Sequence, residues 1–141
     1  MYKNLLLATA ISMMLLGCAT ANQSTTSEVT KEQHLKGIEG TTWKLVSFGL
    51  TRMAVPKGAS IRFEAGHYSG HGGCNGVGGD YTLEGEKIKL SAGFSTMMAC
   101  PELDLEHKYM KALNEVDSYK IKGDLLDLEG NGRLLLRFKA E

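Results

Sequence analysis

From Trp43 onward, apolar side chains recur at every second position in short runs. Trp43, Leu45 and Ser47 alternate with Lys44, Val46 and Phe48, and Ile61 and Phe63 alternate with Arg62 and Glu64. Tyr81 and Leu83, then Ile88 and Leu90, share one parity, with Lys87 and Lys89 on the other. The pattern returns at Tyr119 and Ile121, at Leu126 and Leu128 around Asp127, and at Leu134, Leu136 and Phe138. A period of two predicts half-buried strands. Turn signals separate them: Ala65-Gly66, Glu84-Gly85, Gly123-Asp124 and Gly130-Asn131-Gly132, with Gly123-Asp124 suited to a two-residue hairpin loop. One segment follows a different period. Between Pro101 and Val116, Leu105, Tyr109, Ala112, Leu113 and Val116 form a helical stripe. Pro101 fits a first helical position, and Glu102 and Asp104 suit the positive end of the helix. The expectation is a mainly β (α+β) domain: a small antiparallel, barrel-like meander of about eight strands with one amphipathic helix near residues 101–116.

The first residues have another character. Lys3 precedes an apolar run from Leu5 to Leu16, broken only by Thr9 and Ser12. The run is shorter than the roughly 20 residues a membrane-crossing helix needs, and it reads as a secretory signal. Leu15-Leu16-Gly17-Cys18 follows, resembling the box at which bacterial lipoproteins are cut. The Cys18 thiol would accept the diacylglycerol, and the small Gly17 would admit the peptidase. Two or more acyl chains anchor stably where one does not. Residues 1–17 are thus expected to be a lipoprotein signal peptide, and 18–37 the lipidated Cys18 with a flexible tether. The segment after Cys18 is small, polar and without apolar period; as a coil of about 18 residues it spans roughly 24 Å. Residues 38–141 remain for one folded domain. In the bacterial lipoproteins that this box resembles, an aspartate after the cysteine favours retention in the inner membrane; with Ala19 in that place, the resemblance implies the outer membrane, facing the periplasm.

Charge narrows the partners. Losing Lys3 from 16 basic residues leaves one fewer than the 16 acidic ones, a mature net charge of −1. That balance argues against nucleic acid, which calls for a basic face, and against electrostatic lipid binding. The expected membrane contact is the lipid anchor. Export also changes how the cysteines read. Cys74 and Cys100 remain once Cys18 is acylated, and an even count in an oxidising compartment predicts a disulfide. A loop of that length would be stabilised by roughly 3.5 kcal/mol in the chain-entropy view.

Candidate chemistry is sparse. The glycine-rich stretch His67 to Gly79 has no GxxxxGK[ST] motif, and a strand pattern, Asp80 to Leu83, follows it where a phosphate loop needs a helix. Its glycines suit tight turns, bulges and close backbone approach. His67, His71, Cys74 and Cys100 have zinc-binding chemistry. On an extended strand, however, His67 and His71 lie about 13 Å apart, whereas zinc ligands sit about 2 Å from the metal. Ser95 lacks the second glycine of a nucleophile elbow, and no HExxH or CxxC is present. Paired carboxylates occur only on the helix and in turns, where solvated charge is the default. Met97 and Met98 are expected to fill the core, with an adaptable binding surface as the alternative. No catalytic residue, metal or cofactor is assigned.

Taken together, Trp43-Lys44-Leu45, Ile61-Arg62-Phe63, Gly73-Cys74-Asn75, Tyr81, Thr96-Met97-Met98-Ala99-Cys100-Pro101, Glu106 and the Leu134 to Phe138 run resemble the META domain, or HslJ-like, family across residues 38–141. The resemblance implies a β-rich envelope lipoprotein linked to heat-shock response and novobiocin resistance, without established catalysis. It also implies that Cys74, Asn75, Thr96, Met97, Met98 and Cys100 fix the fold. A second expectation is a carrier or assembly factor, since the fold resembles that of secretion pilotin lipoproteins, which hold an apolar ligand or partner segment.

Overall fold

The computed structural model describes residues 37–91 and 93–141. The expected signal peptide, Cys18 and nearly all of the tether lie outside the described residues. Among the described residues, nine strands form one antiparallel sheet: β1 (Thr42–Phe48), β2 (Ser60–Glu64), β3 (His67–His71), β4 (Gly76–Glu84), β5 (Lys87–Leu90), β6 (Phe94–Ser95), β7 (Ser118–Lys122), β8 (Leu125–Gly130) and β9 (Arg133–Ala140). The order is β3-β2-β1-β9-β8-β7-β5-β4-β6, and a further pairing of β3 with β4 turns the sheet into a ring. β4 makes this closure by dividing its length. Gly76–Asp80 pairs with β3, while Tyr81–Glu84 pairs with β5. The seam between β5 and β7 is narrow, with Lys87 opposite Ser118. Ile88 and Tyr119 add backbone bonds to Asp117 and Glu86 across it.

The turns have the chemistry their residues require. Ala65 and Gly66 both take positive φ, 50° and 83°, as do Asn131 and Gly132 at 52° and 71°. Two left-handed residues in succession match the right-handed twist of a hairpin. Gly123 alone is left-handed in its turn, φ 61°, which suits a loop with glycine first.

Alternation holds except where a bulge changes its phase. On β1, Trp43 and Leu45 point inward, but the register against β9 shifts between Leu45 and Ser47. Val46 is left exposed and Phe48, expected on the outer face, turns into the core. One extra residue reverses every side chain beyond it. The β8–β9 pair also shifts register, between Leu128 and Glu129.

The core comprises Trp43, Ile61, Phe63, Ile88, Tyr119, Leu126, Leu128, Leu136 and Phe138, with others around them. Trp43 donates its indole N–H to the Ile38 carbonyl at 2.9 Å, so its buried polar atom is satisfied. Helix α1 spans Leu103–Asn114 and is the single complete helix among the described residues. It starts two residues after Pro101, which lies in the preceding turn. Tyr109 and Leu113 are its apolar anchors. The Tyr109 ring meets Phe138 edge-on at 6.3 Å, and its hydroxyl donates to the Ser60 carbonyl at 3.2 Å. β9 and β2 flank β1, so one side chain ties the helix across three strands. Burial pushes the Tyr109 hydroxyl pKa well up.

Candidate functional site

The helix face that meets the sheet is the expected stripe with Glu106 added and Leu105 turned partly out. Its buried positions are Glu106, Tyr109 and Leu113, continued by Val116; Leu105 is only half-buried. A carboxylate therefore enters the interior, where sequence pattern suggested solvated charge, and Glu106 is 2% exposed. A buried charge is tolerated when it is hydrogen-bonded. Glu106 Oε2 accepts the backbone N–H groups of Cys74 at 3.0 Å and Asn75 at 2.6 Å. Its Oε1 accepts the Asn75 side-chain N–H at 2.7 Å. Burial pushes the carboxyl pKa up, but the bonds from the Asn75 side chain and from the Asn75 and Cys74 amides outweigh it. The net result is a carboxyl held below the usual glutamate value.

Glycines make room for this arrangement. The chain turns back after β3, with the Gly72 N–H bonded to the Asn75 carbonyl at 2.8 Å. A Cβ at Gly72 would lie 2.6 Å from both Cγ and Oε2 of Glu106. Gly73 has φ 110°, and a Cβ there would lie 2.3 Å from Pro56 Cβ. Neither position accepts a side chain without displacing its neighbour.

Asn75 carries the order outward from Glu106. Its Oδ1 accepts the Thr96 hydroxyl at 2.9 Å and the Met98 N–H at 2.7 Å. Its Nδ2 reaches the Met98 carbonyl at 3.3 Å as well as Glu106. Two donor contacts and two acceptor contacts use the whole capacity of the amide. Thr96 returns to β4, accepting the Gly76 N–H on its hydroxyl at 3.2 Å and donating its own N–H to the Gly76 carbonyl at 3.1 Å. Cys74 and Cys100 form the disulfide expected from their number and compartment, with Cα atoms 5.8 Å apart. Glu106, Asn75, Thr96 and the disulfide thus fix residues 96–100 against the glycine turn.

One expectation changes here. Met97 and Met98 do not pack in the core: Met97 is 98% exposed and Met98 56%. The hydrogen bonds hold the Met98 main chain and leave the thioethers outside. Phe94 of β6 is also exposed, at 70%. These methionines border an open groove of about 480 Å³ between the 95–99 loop and α1, with Leu103, His107 and Met110 on the helix side.

The histidine zinc reading does not survive. His67 Nδ1 lies 2.5 Å from Asp80 Oδ1 on the neighbouring strand, while His71 Nδ1 accepts the Gly73 N–H at 3.0 Å. They occupy opposite ends of β3, and both cysteines are held in the disulfide. Among the described residues, no group of three or more His, Cys, Asp or Glu side chains could hold a metal.

A second buried carboxylate, Asp127 on β8, was also hidden from sequence reading. It makes a two-pronged pair with Arg137 on β9, at 2.6 and 2.7 Å. Such forked geometry is strong and directional. Arg137 pairs with Asp127 across the hairpin, Lys120 stands opposite Asp127 on β7, and Asp127 is absent from the groove lining, which makes it a clamp between strands.

Comparison with known proteins matches this framework. A family profile described as META domain matches residues 34–141. No curated protein matches the chain. The NMR structure of a protein from Burkholderia xenovorans is similar, at 26% identity and a TM-score of 0.63, covering 75% of this chain and 85% of that one. The crystal structure of a DUF4847 family protein from Bacteroides vulgatus is 18% identical with a TM-score of 0.58, covering 72% of this chain and 93% of that one. At that identity the second likeness concerns the fold alone.

Proposed function

The chain belongs to the META domain family, and from that premise we propose that it is a non-catalytic lipoprotein of the bacterial envelope that supports stress tolerance. The observation that carries this reading is how the motif's polar groups are used. Glu106 and Asn75 bond each other, the glycine turn and the Met98 main chain. Their chemistry is consumed in fixing a loop, where a general acid or base would need reach to a substrate proton. The apolar run and Leu15-Leu16-Gly17-Cys18 support cleavage before Cys18 and acylation of its thiol. Ala19 supports an outer-membrane position facing the periplasm.

Metabolic labelling with a palmitate analogue tests the anchor: label is expected on the wild-type chain and absent from Cys18→Ala. Equal labelling, or none on either, contradicts it. A strain lacking the gene is expected to lose survival under heat or novobiocin, restored by the wild type and not by Cys18→Ala. Unchanged survival under both contradicts the stress role.

The groove favours a second reading, a pilotin-like carrier of an apolar ligand or partner segment. Met97, Met98, Leu103 and Met110 give it an adaptable apolar lining. Native mass spectrometry of gently extracted protein is expected to show a co-purifying lipid or peptide if this reading holds, and a bare lipidated chain if it does not.

A further inference from the structure

Three of the protein's thioethers and one imidazole border the same groove: Met97 and Met98 from the loop, His107 and Met110 from α1. We propose that this groove binds a soft monovalent metal ion, Cu(I), through those side chains. The inference goes beyond the lipoprotein and carrier readings and depends on neither.

The donor set selects the ion. Thioethers are soft ligands that favour Cu(I), and imidazole accommodates copper as well. The harder donors beside them are already engaged. Glu106 accepts three hydrogen bonds, and the Asn75 carbonyl oxygen and Thr96 hydroxyl bond each other. A calcium or magnesium ion, which requires several free oxygen ligands, finds none offered by those three residues.

The fold also positions the donors. His107 and Met110 are three residues apart within α1, a spacing that places side chains on one helix face. Opposite them, the Met98 main chain is held on both sides of its residue by the Asn75 amide. The disulfide at Cys100 fixes the other end of the loop. Two methionine side chains thus extend from a fixed backbone at the loop edge of the groove. Each has three rotatable bonds and can close on an ion without moving the main chain. Met97 is 98% exposed, so its thioether is reachable by an ion from solvent. The buried Asn75–Glu106 pair then orients the metal-binding loop, as outer-shell partners commonly do.

The test titrates the full chain without oxygen, free thiols blocked with iodoacetamide, against the Cu(I)–bicinchoninate chromophore. One Cu(I) is expected to move to the protein. The double substitution Met97→Leu with Met98→Leu keeps volume and apolarity at exposed positions and is expected to weaken binding at least about 10-fold. Met110→Leu should weaken it comparably. Met53→Leu, at an exposed methionine absent from the groove lining, should leave it unchanged. No transfer, transfer unaffected by the double substitution, or equal loss in Met53→Leu would each overturn the proposal. So would Zn(II) binding as tight as that of Cu(I), because it would mean the thioethers do not select the ion.

Discussion

The wall made by β1, β9 and β8 and the junction of the glycine turn with α1 are held by different physics. In the wall, Leu128, Leu136, Phe138 and their neighbours exclude water together. Apolar attraction has no preferred direction and each residue contributes a share. At the junction, one carboxylate satisfies two backbone amides and a side-chain amide. That same side-chain amide satisfies the Met98 main chain. Such a network holds as a unit, because a buried donor without its partner costs more than the bond contributed. The wall gives the domain stability that degrades gradually; the junction gives one loop a single position.

Substitutions should separate the two regions. The largest effect is expected from Glu106→Ala, which strips three donors of their acceptor and opens a cavity, at about 4 kcal/mol by urea unfolding. A cost near that of a surface change would remove the junction from the account of stability. Replacing both Cys74 and Cys100 by Ser should lower stability by about 3.5 kcal/mol, with β8–β9 keeping its order. In the wall, Leu136→Ala should cost about 3 kcal/mol, without altering the chemical shifts of Thr96 to Met98. Movement of those shifts would mean that the two regions are not independent.

Glu106→Gln should cost about 2 kcal/mol, since a carboxamide can place an acceptor before the backbone amides only by presenting a donor to Asn75. The same variant tests the pH dependence. The Glu106 carboxyl is held below the ordinary glutamate value in the folded chain. The unfolded chain therefore binds more protons between those two values, and stability rises with pH across that window. The Glu106 contribution is full above the unfolded value and is lost as pH falls through the folded one. Acid unfolding profiles should show a shallower slope for Glu106→Gln there. At the small end, Met97→Ala should change stability by no more than about 0.5 kcal/mol, in keeping with its full exposure.

The wall was largely legible in the sequence because its physics is periodic. Alternation marked its strands, and Asn131-Gly132 marked a hairpin whose two residues are left-handed. What escaped was phase. The bulge at Val46 moved Phe48 inward, and the shift beyond Leu128 placed Asp127 opposite Arg137. A pattern of apolar positions carries no mark of one extra residue. The junction was legible only as motifs. Cys74, Asn75, Thr96 and Met98 stood out, yet their meeting with Glu106 depends on partners separated by some 20 to 32 residues. One local signal was available: Glu106 sits three residues before Tyr109 and seven before Leu113, on the same helix face. Reading Leu105 as part of the stripe concealed it. Met97 and Met98 were misplaced for a related reason, because hydrophobicity cannot tell a buried thioether from one held outward by its own main chain.

Amide hydrogen exchange at Cys74, Asn75 and Met98, in the wild type and in Glu106→Gln, tests the junction most directly. These three amides should exchange slowly in the wild type, near the rate of the β8–β9 amides. In Glu106→Gln they should lose protection while β8 and β9 retain theirs. Rapid exchange of the three in the wild type, or protection unchanged by the substitution, would contradict the claim that Glu106 and Asn75 fix the loop.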